Sequence, residues 1–393
     1  MNSTRRNVGL LAACQALLLT NNATLIAING LAGLALAPRA ALATLPVTCW
    51  VVGGALATMP ASLHMKRVGR QRGLSAGTLW GIIGALICAA ALWLQSFWAL
   101  CFGTLVFGVY NAYGQYYRFA AADAASADFK STAISLVLAG GLVGGILGPT
   151  TSRFTVDLIA PRFTGAYLAL IGFSLATMLL LRFIRIPMPD AKTQAAPGRP
   201  LAVIAAQPKF ITAVMSGAIG YGVMNFLMTS TPIAMGVCGH PYGDAAFVIS
   251  SHVIAMFAPS FVTGRRIRRR GVLPVMFTGA LLNFAAIGIA LSGIAVAQFW
   301  GSLVLLGVGW NFLYIGGTTL LTETYRPEEM AKAQGANEQA IFIMMVISSF
   351  TSGLTVTAAG WERVNLYALP MVAVVAAGIL WFGMHERARK AGA

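Results

Sequence analysis

Apolar residues run in long blocks along the chain, separated by short polar stretches. Twelve blocks stand out, over 8–29, 40–62, 75–94, 98–118, 131–150, 164–184, 210–231, 244–264, 272–292, 298–321, 335–356 and 365–384. Each is about 20 residues long, the length of helix that crosses the hydrocarbon core of a bilayer. None alternates polar and apolar positions over about ten residues, as the strands of an outer-membrane barrel do. The pattern predicts an all-α membrane protein with twelve transmembrane helices. Residues 185–208 form the longest connection, and Pro187, Pro189, Pro197, Gly198 and Pro200 mark it as a linker. The chain then divides into six helices over 1–184, a linker over 185–208 and six helices over 209–393, a repeat organisation.

Composition narrows the class. Of 393 residues, 58% are hydrophobic and 10% are charged, where a soluble domain carries about 25% charged residues. Mean hydropathy is +0.75. These values exclude a cytosolic enzyme, a disordered chain and a secreted disulfide scaffold. The net charge of +16 invites a nucleic-acid reading, but the basic residues sit in alternate connections and are not interleaved with aromatics on one face. No nucleic-acid partner is expected; membrane lipid is. With Arg5 and Arg6 placed inside, 23 of the 27 Lys and Arg residues fall on that side, leaving only Arg39, Arg153, Arg162 and Arg363 outside. The positive-inside rule then puts both termini in the cytoplasm. The first block exceeds a signal-peptide core and is expected to remain as a span.

The connection after the second block contains Arg67, Gly69 and Arg70. This resembles the Gly-x-x-x-Asp-Arg-x-Gly-Arg loop of the major facilitator superfamily, with Ser62 and Lys66 departing from it. The equivalent stretch of the second half, Gly264 to Gly271, is an arginine cluster. The resemblance implies two six-helix bundles flanking a central cavity, with alternating access. Gly140, Gly144 and Gly148 share one helix face, where backbones can approach closely. Gly144 to Pro149 also resembles the Gly-x-x-x-Gly-Pro motif of drug and metabolite antiporters in that superfamily, which leaves a proton-coupled efflux antiporter as an alternative.

Ionisable groups are scarce inside the blocks. The acids fall in connections or at block ends, and Glu338 is the one placed about a turn inside. Asn21, Asn22, Asn29, Asn111 and Gln115 are the polar candidates, each explicable as a hydrogen bonder between helices. Cys14, Cys88 and Cys101 read as inert packing residues.

Sulfur and imidazole form a more pointed pattern. Met224 and Met228 lie i, i+4 in the seventh block, and His252 and Met256 lie i, i+4 in the eighth. Each pair projects from one helix face. At 1.5 Å per residue, Met224 lies about 10 Å deep and His252 about 12 Å, so they fall at one level. Composition predicts about 0.65 Met-x-x-x-Met and about 0.16 His-x-x-x-Met pairs by chance, and one of each occurs. Thioethers select Cu(I) among biological metals, and imidazole also serves copper. A single methionine on a membrane helix is more often packing.

This arrangement resembles the CcoA-like copper importers, bacterial inner-membrane members of the superfamily that supply copper for assembly of cbb3-type cytochrome c oxidase. The resemblance implies Met224, Met228, His252 and Met256 as the metal-binding residues. It also implies Cys49 and Cys238 as an outer thiol pair. The expected function is import of copper, as the ion or a small chelate, from periplasm to cytoplasm and onward to a cytoplasmic copper acceptor. No cofactor and no enzymatic activity are expected, and copper is the cargo. A non-transporting copper sensor or scaffold is the other alternative.

Overall fold

The computed structural model describes residues 3–39, 42–186 and 198–391. Residues 187–197 of the expected linker lie outside them. The described residues are helical throughout, with no strand. The helices are α1 (Ser3–Leu36), α2 (Leu45–Val68), α3 (Arg70–Trp93), α4 (Phe97–Gly114), α5 (Tyr117–Asp123), α6 (Lys130–Ala139), α7 (Gly141–Thr155) and α8 (Thr164–Arg182). After the linker come α9 (Leu201–Ala205), α10 (Pro208–Val237), α11 (Tyr242–Phe257), α12 (Ser260–Arg270), α13 (Val272–Leu291), α14 (Val296–Leu321) and α15 (Met330–Ala391).

Among the described residues, eleven helical stretches are long and apolar enough to cross a membrane. The last, α15, has 62 residues and breaks at Gly360, whose φ is 78° and ψ 177°. A straight helix of that length would measure about 93 Å, three times a bilayer core. The left-handed glycine divides it into the two spans expected from the apolar blocks. Gly69 (φ 88°) and Gly271 (φ 85°) terminate α2 and α12 in the same way. They stand at equivalent places in the two halves and let the next span begin one residue later.

The chain forms two compact units. The first comprises 1–126, 136–196 and 334–339; the second comprises 127–135, 197–333 and 340–393. The division therefore runs through α6 and α15.

In the first unit, α3 presents Gly77, Gly81 and Gly84 along one face. Against them pack Tyr113, Tyr110 and Phe107 of α4. The rings of Tyr113 and Tyr110 fill the groove at Gly77 and Gly81, and at Gly84 the α4 backbone itself comes in. α2 meets α4 through Gly53, Gly54 and Gly108. α7 meets α1 through Gly140, Gly144 and Gly148, and the Thr24 hydroxyl donates to the Gly148 carbonyl at 3.0 Å. The expected glycine face thus packs against α1 along its length. Between lipid-immersed helices the gain comes from close van der Waals contact, because lipid tails are as apolar as leucine. In the second unit, the buried Glu329 carboxylate accepts from the Arg199 backbone N (2.8 Å) and Nε (2.7 Å) and from the Arg326 backbone N (3.0 Å). This ties the end of the linker to the start of α15.

A Cβ at position 53 would lie 2.8 Å from the Leu105 carbonyl carbon and 3.1 Å from its Cα, both backbone. Gly53→Ala should therefore cost about 1–3 kcal/mol and lower the thermal midpoint of the purified protein. Gly172→Ala, at a position with nothing within 4 Å, should leave that midpoint unchanged.

Candidate functional site

The helix α14 carries the site of the second unit. Gly307, Trp310, Tyr314 and Gly317 recur at spacings of three, four and three, so they share one face. Gly307 admits α11: a Cβ there would lie 2.9 Å from the His252 carbonyl and 3.0 Å from the Met256 nitrogen. Gly317 admits α10, with the Ala213 carbonyl at 2.9 Å from such an atom. The glycines draw neighbouring helices in at either end, and two aromatic rings fill the stretch between. Trp310 and Tyr314 stack, 4.7 Å apart and inclined by 18°. Tyr221 of α10 meets both edge-on, at 5.5 Å and 5.6 Å, and Phe257 of α11 meets Trp310 edge-on at 5.8 Å. Trp310 is buried, yet its indole Nε1 has no hydrogen-bond partner. A buried tryptophan N–H ordinarily has one. Tyr221 is half-buried.

Amides border this cluster. Asn311 donates to the Met256 carbonyl (2.7 Å) and the Ser260 hydroxyl (2.6 Å), and accepts from Thr263 at 2.7 Å. Asn225, one turn from Tyr221, donates to the hydroxyls of Ser348 (2.9 Å) and Ser349 (2.7 Å).

The first unit holds a buried polar chain. Asn22 and Gln115 both donate to the Asn111 carbonyl oxygen, at 2.9 Å and 3.3 Å. Arg118 donates to the Gln115 backbone carbonyl at 2.8 Å and pairs with Glu338, which also accepts from Asn337 at 2.6 Å. Arg118 is 1% exposed and Glu338 fully buried. A second buried arginine, Arg70, pairs with Asp123 at 2.9 Å and donates to Gln334 at 2.5 Å. The basic-residue count places Arg118 in a connection and Glu338 about a turn inside a span. The structure buries both and joins them. Asn21 donates to Ser174 at 3.2 Å, and Asn29 accepts from Tyr167 at 2.7 Å, so these amides do link helices.

The expected copper ligands are placed as follows. Met224, His252 and Met256 are buried and Met228 is half-buried. His252 Nδ1 lies 2.7 Å from the Leu303 carbonyl of α14, and its Nε2 has no partner. The imidazole is thus anchored to α14. Cys49 is half-buried in α2, with the Cys101 thiol of α4 beside it. Both cysteines lie four residues into helices that start side by side. The structural partner of Cys49 in the first unit is therefore Cys101, read from sequence as packing. Cys238 caps the end of α10 and is half-buried in the second unit.

This architecture of long apolar helices in two units, with aromatic and amide clusters inside them, defines a polytopic membrane carrier. The family model of the Major Facilitator Superfamily matches residues 11–349, and the chain belongs to that superfamily. It is 42% identical over 375 residues to the riboflavin transporter RfnT of Brucella anthropi, covering 94% of each chain. It is 29% identical over 343 residues to the uncharacterized MFS-type transporter YdeG of Bacillus subtilis, covering 83% of this chain and 80% of that one. Among solved structures, it resembles the human organic anion transporter MFSD10, with a TM-score of 0.79, 12% identity, and coverage of 96% and 100%. The fucose:proton symporter FucP of E. coli gives a TM-score of 0.75 at 15% identity, covering 97% and 99%. The protein is a membrane transporter, with the fold expected from its apolar blocks, and carries a small-molecule cargo.

Two outcomes test this geometry. Removing one member of a buried ion pair strands the other, at a cost of about 3–5 kcal/mol. Arg118→Gln should therefore collapse the yield of folded protein, and Arg118→Gln with Glu338→Gln should restore much of it. For the thiols, a short bis-thiol cross-linker should join Cys49 to Cys101 in the wild type, detected as one linked peptide pair. Cys101→Ser should abolish that product.

Proposed function

We propose that the protein transports riboflavin, or a closely related uncharged flavin, across the bacterial inner membrane, by alternating access and with both termini cytoplasmic. The observation that carries this reading is the 42% identity, along 94% of both chains, to a riboflavin transporter. The chemistry of the second unit supports it. The flavin ring system is a flat, apolar-faced tricycle with polar edges, and its sugar-alcohol chain carries hydroxyls. Flat rings stack on aromatics, each pair contributing about 0.5–1.5 kcal/mol beyond area burial. Tyr221, half-buried, presents such a surface, backed by the buried Trp310 and Tyr314, and the unpartnered Trp310 N–H is a donor that a ring-edge acceptor would satisfy once the cluster opens to the cargo. Charge also favours the unphosphorylated vitamin. The buried arginines Arg70 and Arg118 are already paired with Asp123 and Glu338, so neither is free to neutralise a phosphate.

Copper import is the second reading, and His252 favours it. Its Nε2 is buried without a partner, and Met256, one turn on along α11, and Met224 of α10 are also buried. Under this reading Met224, Met228, His252 and Met256 pass copper inward for cbb3-type cytochrome c oxidase assembly, with Cys49 and Cys238 as outer thiols.

Parallel uptake of radiolabelled riboflavin and copper into cells lacking their own carriers separates the two. The flavin reading expects riboflavin accumulation and unchanged copper. Trp310→Leu should lower riboflavin uptake by about tenfold or more, in line with losing one to two kcal/mol of stacking and hydrogen bonding. Met224→Leu should keep it within about twofold, since volume is conserved. Copper accumulation that disappears with Met224→Leu, in cells that take up no riboflavin, would establish the copper reading instead.

A further inference from the structure

In the second unit, four helix ends surround a cavity of about 540 Å³. They are the first turns of α10 and α13 and the last turns of α14 and α15. Leu273, Phe277, Leu320, Ile379 and Phe382 give it apolar walls, while Lys209, Glu323, Glu386 and Arg387 supply the charged members of its lining. Lys209 and Glu323 pair at 2.9 Å, so each satisfies the other's charge. Leu380 is 51% and Met384 63% exposed. In a membrane protein such exposed apolar side chains face lipid.

The lining itself balances Lys209 and Arg387 against Glu323 and Glu386, but the turn beside it is basic only. α12 ends in Arg268, Arg269 and Arg270, all exposed, and none forms an ion pair among the described residues. Only Gly271 separates them from Val272 and Leu273, which line the cavity. Two residues of chain span at most about 7.6 Å, so this cationic turn lies beside the cavity opening. It also lies on the side that the positive-inside pattern assigns to the cytoplasm.

We propose that this cavity holds an acyl chain of an anionic phospholipid of the cytoplasmic leaflet, with its phosphate drawn to Arg387 and the Arg268–Arg270 turn. An apolar slot with a cationic edge at the cytoplasmic end of a helix bundle matches the two parts of such a lipid. A soluble anion would gain nothing from the apolar wall. A zwitterionic lipid would gain less from three arginines that have no acidic partner. The site is separate from the aromatic cluster and does not depend on which cargo the protein carries.

Gly383 provides the test of the slot. A Cβ there would meet only Leu273 Cδ1, at 3.8 Å, so a larger side chain can enter the cavity without striking backbone. The purified, delipidated full-length protein is titrated with phosphatidylglycerol, with phosphatidylcholine of the same chains, and with glycerol phosphate. Thermal midpoint and lipid retained in native mass spectra are read for each. Phosphatidylglycerol should raise the midpoint and be retained, while the other two should do neither. Gly383→Leu should keep the lipid-free midpoint and lose the lipid-dependent shift. Arg269→Gln with Arg270→Gln should lower the preference for phosphatidylglycerol by about fivefold per charge removed. A photoactivatable phosphatidylglycerol should label peptides containing Phe277 or Gly383 in the wild type, a readout independent of how the variants fold. Equal stabilisation by both lipids, an equal shift from glycerol phosphate, or labelling confined to other helices would each overturn the proposal.

Discussion

Helices in hydrocarbon gain little from pressing apolar side chains together, because the lipid offers the same contact. What they gain comes from close approach, and in this protein glycine sets the approach. On α14 the glycines also determine where the helices stay apart. Gly307 and Gly317 bring α11 and α10 against its backbone, and the intervening turns must be filled by something wide and flat. Trp310 and Tyr314 fill them and receive Tyr221 and Phe257 at right angles. The aromatic cluster is thus a consequence of helix packing before it is a feature of function. A second glycine face of α14, Gly309 and Gly316, meets Asn283 and Met276 of α13 and fixes the rotation that keeps the aromatic face pointing where it does.

The polar groups obey the complementary constraint. Nothing in the hydrocarbon can satisfy a stray charge or amide, and several of the buried ones are joined into chains, while others, among them Asn283 and the indole N–H groups of Trp50 and Trp361, have no partner among the described residues. Asn22, Asn111, Gln115, Arg118, Glu338 and Asn337 form one such chain in the first unit. An unpartnered buried donor gains meaning only from what stands around it. The indole N–H of Trp310 and Nε2 of His252 are two such groups in the second unit. The first stands in a wall of aromatic rings, the setting on which the flavin proposal draws. The second stands beside the sulfur-bearing helices that suggested copper. Relatedness along nearly the whole chain to a riboflavin transporter gives the weight to the first.

Much of the fold could be read from the sequence, because a membrane span is a property of composition over about twenty residues. The break at Gly360 and the repeat of Gly69 at Gly271 follow the same block pattern. Rotation of each helix about its axis is harder to read, and the site depends on it. Met224 and His252 were matched in depth from the rise per residue, yet His252 Nδ1 bonds to Leu303 on α14, which depth alone does not indicate. Arg118 looked like a loop charge because Glu338, 220 residues away, had no visible connection to it. The i, i+4 spacing of Trp310 and Tyr314 was legible, but aromatics on a membrane helix usually mean packing. Only the edge-on approach of Tyr221, from a helix 89 residues earlier in the chain, makes them a cluster.

The central claim is that the aromatic face of α14 receives a flavin. Stacking against tryptophan and tyrosine quenches flavin fluorescence, so riboflavin titrated into the purified protein reports its own binding. The account predicts saturable quenching that riboflavin analogues compete away and riboflavin phosphate does not. It also predicts that the quenching weakens by about tenfold in affinity when Trp310 is changed to leucine. Saturable quenching that is unchanged in Trp310→Leu, or no saturable binding by a folded protein, would contradict it.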